Sequence, residues 1–457
     1  MNQFSLNFLK YSLFLSLLML LFAHCKNEPT IQLSEQDIAT KWAEMTLHVT
    51  QHTPANSPTF ASRCLGYIGL TMYESIVHGQ DNYQTLAGQL NELEALPLPE
   101  TDKMYNWELA LNAGQAEILR SIYIQTADTN KVKIDSLEQL IFNSVVVNEV
   151  EEEVAKRSVD YGKSIAQAIF EWSKTDGGHR GYLKNFDKKL VHPTFKGSWK
   201  PPLFAQSFSH HPLHPHWGKN RTFLKENSEV ADPQIIPYDT AKTSPYYQEF
   251  LAVYEKDKML TQNEKEMALW WGDDPADTFT PPGHSYYLAT IAIKNKQPSL
   301  IKCAETYART GMAVADAFIK CWKWKYQFFS ERPNTFIPQF IDLEWESFWP
   351  DPPFPAFPSG HAIQAATTAT VLIDLFGNEM AFTDDAHVGR ERDEVREVDF
   401  IAQEFETFWQ VAEETADSRF YGGIHTPQDN SMGLEKGKEI GKNINQLNWR
   451  IRVESRD

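Results

Sequence analysis

The sequence predicts an all-α fold, and three observations carry that expectation. Nine segments repeat apolar residues at three- and four-residue spacing, no segment alternates like a half-buried strand, and no repeat of solenoid length recurs. At 457 residues, 42% of them hydrophobic, the chain can bury a large core. Its formal charge of −18 excludes a general grip on nucleic acid, which needs clustered Lys and Arg against phosphate. Any anion site must then be a local basic pocket in an acidic protein.

Residues 1–25, MNQFSLNFLKYSLFLSLLMLLFAHC, hold a single Lys10 and an apolar run over 11–22, the length of a signal-peptide core and short of a membrane span. The run ends at Cys25, so the segment is similar to a bacterial lipoprotein signal whose cysteine is lipidated, although His24 stands where such signals carry a small residue. The expectation is export to the bacterial cell envelope or periplasm, with membrane contact only through a lipid anchor at Cys25. Residues 26–457 are expected to form one α-helical domain, with an N-terminal helical part at about 33–176, a covering loop region at about 177–237 and a catalytic part at about 240–447.

Helices are expected at 35–50, 61–78, 105–126, 132–175, 286–294, 301–326, 361–376, 399–421 and 431–447. Cys303 and Cys321 fall on one of them, about 27 Å apart at the helical rise, so with Cys64 they read as buried thiols and not as a disulfide framework. Between 177 and 237 the periodicity lapses into turn and aromatic residues, which read as an ordered cover beside a site. Its run HHPLHPH places His210, His211, His214 and His216 together, and these read as surface loop histidines between prolines in preference to a metal site. The mixed-charge stretch 383–397 reads as a solvated surface insertion.

Three short stretches carry chemistry. In KYQFFSERP, Lys325 and Arg332 lie seven apart, so a helix running through both shows them on one face before Pro333 ends it. In PSGHAIQ, Ser359 suits an N-cap, Gly360 lets backbone approach a ligand, and the first-turn N–H groups with His361 face an anion. In SRFYGGIHTPQD, Arg419 ends one helix, Gly422 and Gly423 break it, and His425 precedes the next, where Asp429 can orient His425 or cap the helix. Three cations, a hydroxyl, a backbone donor and two imidazoles suit a tetrahedral or trigonal-bipyramidal oxyanion. One histidine would attack its centre and the other would move protons, as phosphoryl transfer requires.

The order Lys325-x6-Arg332-Pro333, Pro358-Ser359-Gly360-His361, Ser418-Arg419-x5-His425 resembles the tripartite signature shared by vanadium-dependent haloperoxidases and type 2 phosphatidic acid phosphatases. It covers about the last third of the chain, and SRCLGYIGLTMYESIV at 62–77 is similar to the first core helix of the soluble haloperoxidase branch. The resemblance implies a helical bundle of the vanadium haloperoxidase and acid phosphatase type. It implies His425 as the ligand of the vanadium in vanadate, or as the phosphorylated nucleophile of a phosphatase, and His361 as the acid–base group. Lys325, Arg332, Ser359, Gly360 and Arg419 would hold the oxyanion, and Lys325 would also polarise bound peroxide. Trp322 and Phe354 match aromatic positions that line the vanadate pocket. The segment WWGDDPADTFTPPGHS resembles one that supplies a carboxylate partner to the second arginine, Asp274 as first choice and Asp273 as second.

The activity so implied is vanadate-dependent oxidation of a halide by hydrogen peroxide to hypohalous acid. Iodide comes first and bromide second: iodide is the easiest to oxidise, and algal bromoperoxidases carry a histidine where this chain has Phe354. Bacterial iodoperoxidases of the envelope also fit an exported chain. The alternative is an exported phosphatase that cleaves a phosphomonoester through a phosphohistidine and needs no vanadate. Lipid phosphatases are polytopic and soluble acid phosphatases much shorter, which favours the haloperoxidase. A non-catalytic oxyanion-binding envelope protein comes third, because such a protein is expected to lose one of the two histidines.

Overall fold

A computed structural model describes residues 33–201 and 211–451. The signal segment with Cys25, and His210, lie outside the described residues. Those described fold into α1 (Glu35–Gln51), α2 (Pro58–Glu74), α3 (Trp107–Ile122), α4 (Asp128–Val146), α5 (Glu152–Ser173), α6 (Lys225–Glu229), α7 (Pro245–Asp257), α8 (Gln262–Trp270), α9 (Thr280–Lys296), α10 (Leu300–Phe328), α11 (Pro333–Phe340), α12 (Gly360–Phe376), α13 (Phe408–Tyr421) and α14 (Pro427–Asn445). One antiparallel pair, β1 (Phe382–Asp384) with β2 (Gln403–Phe405), interrupts the helices. No helix among the described residues is long and apolar enough to cross a membrane.

Local chemistry sets most helix starts. Ser34 and Thr261 close capping boxes with Asp37 and Glu264, and Ser57 and Ser244 cap helices that open on proline. The predicted single helix over 132–175 is instead two, α4 and α5. The β-branched run Val145–Val146–Val147 ends the first, Glu149 turns left-handed at φ 63°, and Glu152 and Glu153 sit in the first turn of the second, where the helix dipole favours them. The helix expected over 399–421 begins only at Phe408, because β2 occupies part of its first third. The short helices α6, α7, α8 and α11 were not foreseen, since their aromatic and proline content obscures the period.

A correction with consequences for the site concerns Lys325 and Arg332. Helix α10 stops at Phe328, Phe329 is left-handed at φ 50°, and Arg332 is the N-cap of α11. The two cations therefore do not share a helix face, and Pro333 starts a helix where it was expected to end one.

The 29-residue α10 is the buried axle of the bundle, packed against α2, α12 and α14. Cys64, Cys303 and Cys321 are buried free thiols, and burial pushes Cys321 up to about 11. Helices α12 and α14 meet along Gly433 and Gly437. A Cβ at Gly437 would collide with the Ile363 carbonyl, and one at Gly433 would lie 2.9 Å from that of Ser359. This seam sets the N-termini of the two helices side by side, with the Ser359 N–H bonded to the Asp429 carbonyl at 2.9 Å. The stretch 383–397 is only partly the solvated insertion expected. Asp384 and His387 are buried, because β1 pins the start of the insertion against α9.

Candidate active site

At those paired N-termini lies a cavity of about 810 Å³, lined by His361, His425, Arg419, Gly360, Trp322 and Phe354 among others. His425 follows the Gly422–Gly423 break. Its Nδ1–H donates to Asp429 Oδ2 at 2.9 Å, and that carboxylate also accepts the Thr426 N–H at 3.2 Å as part of the α14 capping box. Asp429 thus does both things open to it. With Nδ1 holding the proton, His425 keeps a lone pair on Nε2. Burial, then Arg332 and Lys325, push the imidazole well below its ordinary range, so the ring is neutral.

His361 is half-buried on the cavity wall and hydrogen-bonds to the Gly272 backbone, while its buried Nε2 has no partner among the described residues. Burial, then Arg419, lower it to about 3. Ser359 is the N-cap of α12, its Oγ accepting the Ala362 N–H at 3.4 Å, and the first-turn N–H groups of Gly360 and His361 have no intrahelical acceptor.

The cations play distinct parts. Arg419 spends Nε on Ser418 Oγ at 3.0 Å and Nη2 on the Ala268 carbonyl at 2.5 Å, and its buried Nη1 has no partner among the described residues. Burial lowers it to about 10, against the charges of Asp274 and then Asp273. Burial pushes Asp274 up to about 7, with Arg419 the strongest opposing charge. Arg332 donates to the carbonyls of Phe354 at 3.0 Å and Ile424 at 2.8 Å. Lys325 donates all three of its protons to carbonyls, those of Pro355, Ala356 and Pro358 at 2.9, 2.6 and 2.7 Å. Burial pulls its pKa down to about 7. Lys325, Arg332 and Ser359 accordingly form the wall behind the cavity lining and brace the loop that leads into His361.

Aromatic residues close the other side. Trp322 packs on Phe318 and Phe354 at ring distances of 5.3 and 4.9 Å, and its Nε1–H bonds to the Leu213 carbonyl in the covering segment. Phe354 lies 5.2 Å under the Lys325 ammonium. Phe186 and Leu213 bring the segment after α5 to the cavity. His214 is not the surface histidine expected: it is buried, stacked on Trp217 and bonded to Thr59 and the Gly181 carbonyl, because the loop folds back onto the start of α2, while the exposed His216 pairs with Asp187 at 3.0 Å.

Sequence reasoning missed His284, His387 and Asp384. His284 lay inside the quoted stretch WWGDDPADTFTPPGHS and His387 inside the charged insertion, but nothing in their spacing joins them to Asp273. All four are buried in one network directly behind Gly272 and His361.

The site of this helical bundle is thus a set of buried donors around a neutral, carboxylate-oriented imidazole. The family description "VCPO second helical-bundle domain" matches residues 305–452. A crystal structure described as the first bacterial vanadium-dependent iodoperoxidase superposes with a TM-score of 0.77 at 28% identity, over 94% of this chain and 100% of that one. A holo bacterial vanadium-dependent chloroperoxidase gives 0.62 at 15% identity over 92% and 94%, and its apo form gives 0.62 at 14% over 93% and 96%; both speak to the fold alone. No curated protein matches the sequence. Over residues 305–452 the chain thus matches that family model, and as a whole it is similar in fold to bacterial vanadium-dependent haloperoxidases.

Proposed function

We propose that this protein is a vanadium-dependent haloperoxidase that oxidises iodide, and bromide more slowly, with hydrogen peroxide to the hypohalous acid. The observation that carries the reading is the pair of neutral imidazoles on one cavity, His425 with its Asp429-fixed Nε2 lone pair and His361 with a buried, unpartnered Nε2. Vanadate suits these donors: a nitrogen lone pair for the metal, a spare Arg419 Nη1–H and free helix N–H groups for its oxygens. Vanadate bound there would activate hydrogen peroxide towards attack by a halide.

The chain's own part is positioning and proton movement. Asp429 holds the His425 ring, Gly272 holds that of His361, and His361 Nε2 is placed to take a proton from incoming peroxide. Arg419, Arg332 and Lys325 keep the pocket positive, so an oxyanion stays there inside an acidic protein. Trp322 and Phe354 shield the centre from water, and such an apolar wall suits iodide, the least strongly hydrated of the halides under consideration. The 28% identical bacterial iodoperoxidase supports the same choice. Export, with or without a lipid on Cys25, is part of this proposal; fractionation of the native host and mass analysis of the mature N-terminus would test it.

The deciding experiment strips the soluble part, reloads it with vanadate, and assays iodide and bromide oxidation beside phosphomonoester hydrolysis. Vanadate-dependent halide oxidation, faster with iodide, is the expected result. Phosphomonoester turnover without it would overturn the proposal in favour of the phosphatase.

A further inference from the structure

Behind the cavity, three metal-ligating side chains from three separate segments converge. Asp273 comes from the loop after α8, His284 from the first turns of α9 and His387 from the insertion after β1. Their ligand atoms all lie within 4.8 Å of one another, and each side chain is at most 2% exposed. His284 Nδ1 lies 2.9 Å from Asp273 Oδ2, and its Nε2 lies 2.8 Å from Asp384 Oδ2. Asp273 Oδ1 and His387 Nε2 are 3.0 Å apart, an ion-pair contact without good hydrogen-bond geometry.

We propose that Asp273, His284 and His387 form a buried site for a zinc-type divalent cation, with Asp384 as the carboxylate that orients His284. Two imidazoles and one carboxylate, with a water in the fourth position, are a donor set that zinc accepts. Metal–ligand bonds of about 2.1 Å place tetrahedral ligands about 3.4 Å apart, so ligand atoms that all lie within 4.8 Å of one another would close on one ion by drawing together by about an ångström. A ligating histidine commonly donates its other ring N–H to a carboxylate, which sets its tautomer, and Asp384 is placed to accept it. Asp384 is itself fixed by Trp270 Nε1–H at 3.0 Å, and the Trp271 ring stacks on His284 at 4.6 Å, giving the site a dry outer wall. Asp273 holds a left-handed backbone at φ 49°, strain of the kind retained at functional positions. The metal would replace the proton that His284 otherwise needs to satisfy two carboxylates. The proposal is independent of the halide chemistry.

The test treats the full chain, free of any histidine tag, with a chelator, reloads it with zinc sulfate and measures zinc by mass spectrometry after gel filtration. One zinc per chain is expected. His387→Ala and Asp273→Asn should retain less than a tenth of it, Asp384→Asn should bind about 10–100-fold more weakly, and His216→Ala should retain it fully. Should the variants fail to fold, diffraction at the zinc edge from wild-type crystals decides: an anomalous peak among the three side chains supports the site. No zinc on the wild-type chain, full retention by His387→Ala, or a peak elsewhere only would overturn it.

Discussion

The Asp429 carboxylate accepts the Nδ1–H of His425 at 2.9 Å while it caps the helix on which it sits. One side chain thus sets both the tautomer of the central imidazole and the start of α14. Asp429→Asn should cost about 1 kcal/mol of stability through the cap and about 10–100-fold in vanadate retention or turnover through His425. Thermal unfolding and equilibrium dialysis measure the two separately; unchanged vanadate retention would remove the orienting role.

His361 and His425 should separate in their effects. His425→Ala abolishes both vanadate retention and halide oxidation, whereas His361→Ala lowers kcat by about 10²–10⁴ and leaves vanadate retention largely intact. Equal loss of both properties in His361→Ala would count against its proton-transfer role.

The depressed pKa of His361 gives stability a pH signature. An unfolded histidine takes up its proton as pH falls through about 6.5, but this folded ring does so only at about 3. Its contribution is complete above 6.5 and lost as pH falls towards 3, by up to about 1.4 kcal/mol per pH unit. His361→Gln should lose less stability than the wild type between pH 6.5 and 4 in urea titrations, and parallel curves would contradict the burial of a neutral ring.

Lys325 braces three carbonyls of the loop before Ser359. Lys325→Met leaves those acceptors buried without donors and should cost at least about 2 kcal/mol, read by urea unfolding, together with a loss of halide oxidation. A variant as stable as the wild type would show that the brace is dispensable.

The glycine seam should be as sensitive as the pocket. Gly437→Ala drives a methyl group into the Ile363 carbonyl and should destabilise by about 1–3 kcal/mol. The residual folded protein should have lower kcat, because α12 and α14 carry His361 and His425. Crystallography of the variant would show the two helices displaced.

Much of this was legible along the chain because it is local. The helical class, the Ser359 cap, the break at Gly422–Gly423 and the two histidines follow from periodicity, capping and turn chemistry within a few residues. What the sequence could not decide depends on contacts between distant segments. Only the tertiary structure ended α10 at Phe328 and carried Arg332 to the cavity wall by a turn. Only packing turned Gly433 and Gly437 into a seam that aligns two helix N-termini, and only the fold of the insertion brought Asp384 and His387 to His284. Burial, which neutralises His361 and His425, is likewise a property of the assembled bundle: desolvation depends on everything packed around a group and not on its neighbours in sequence.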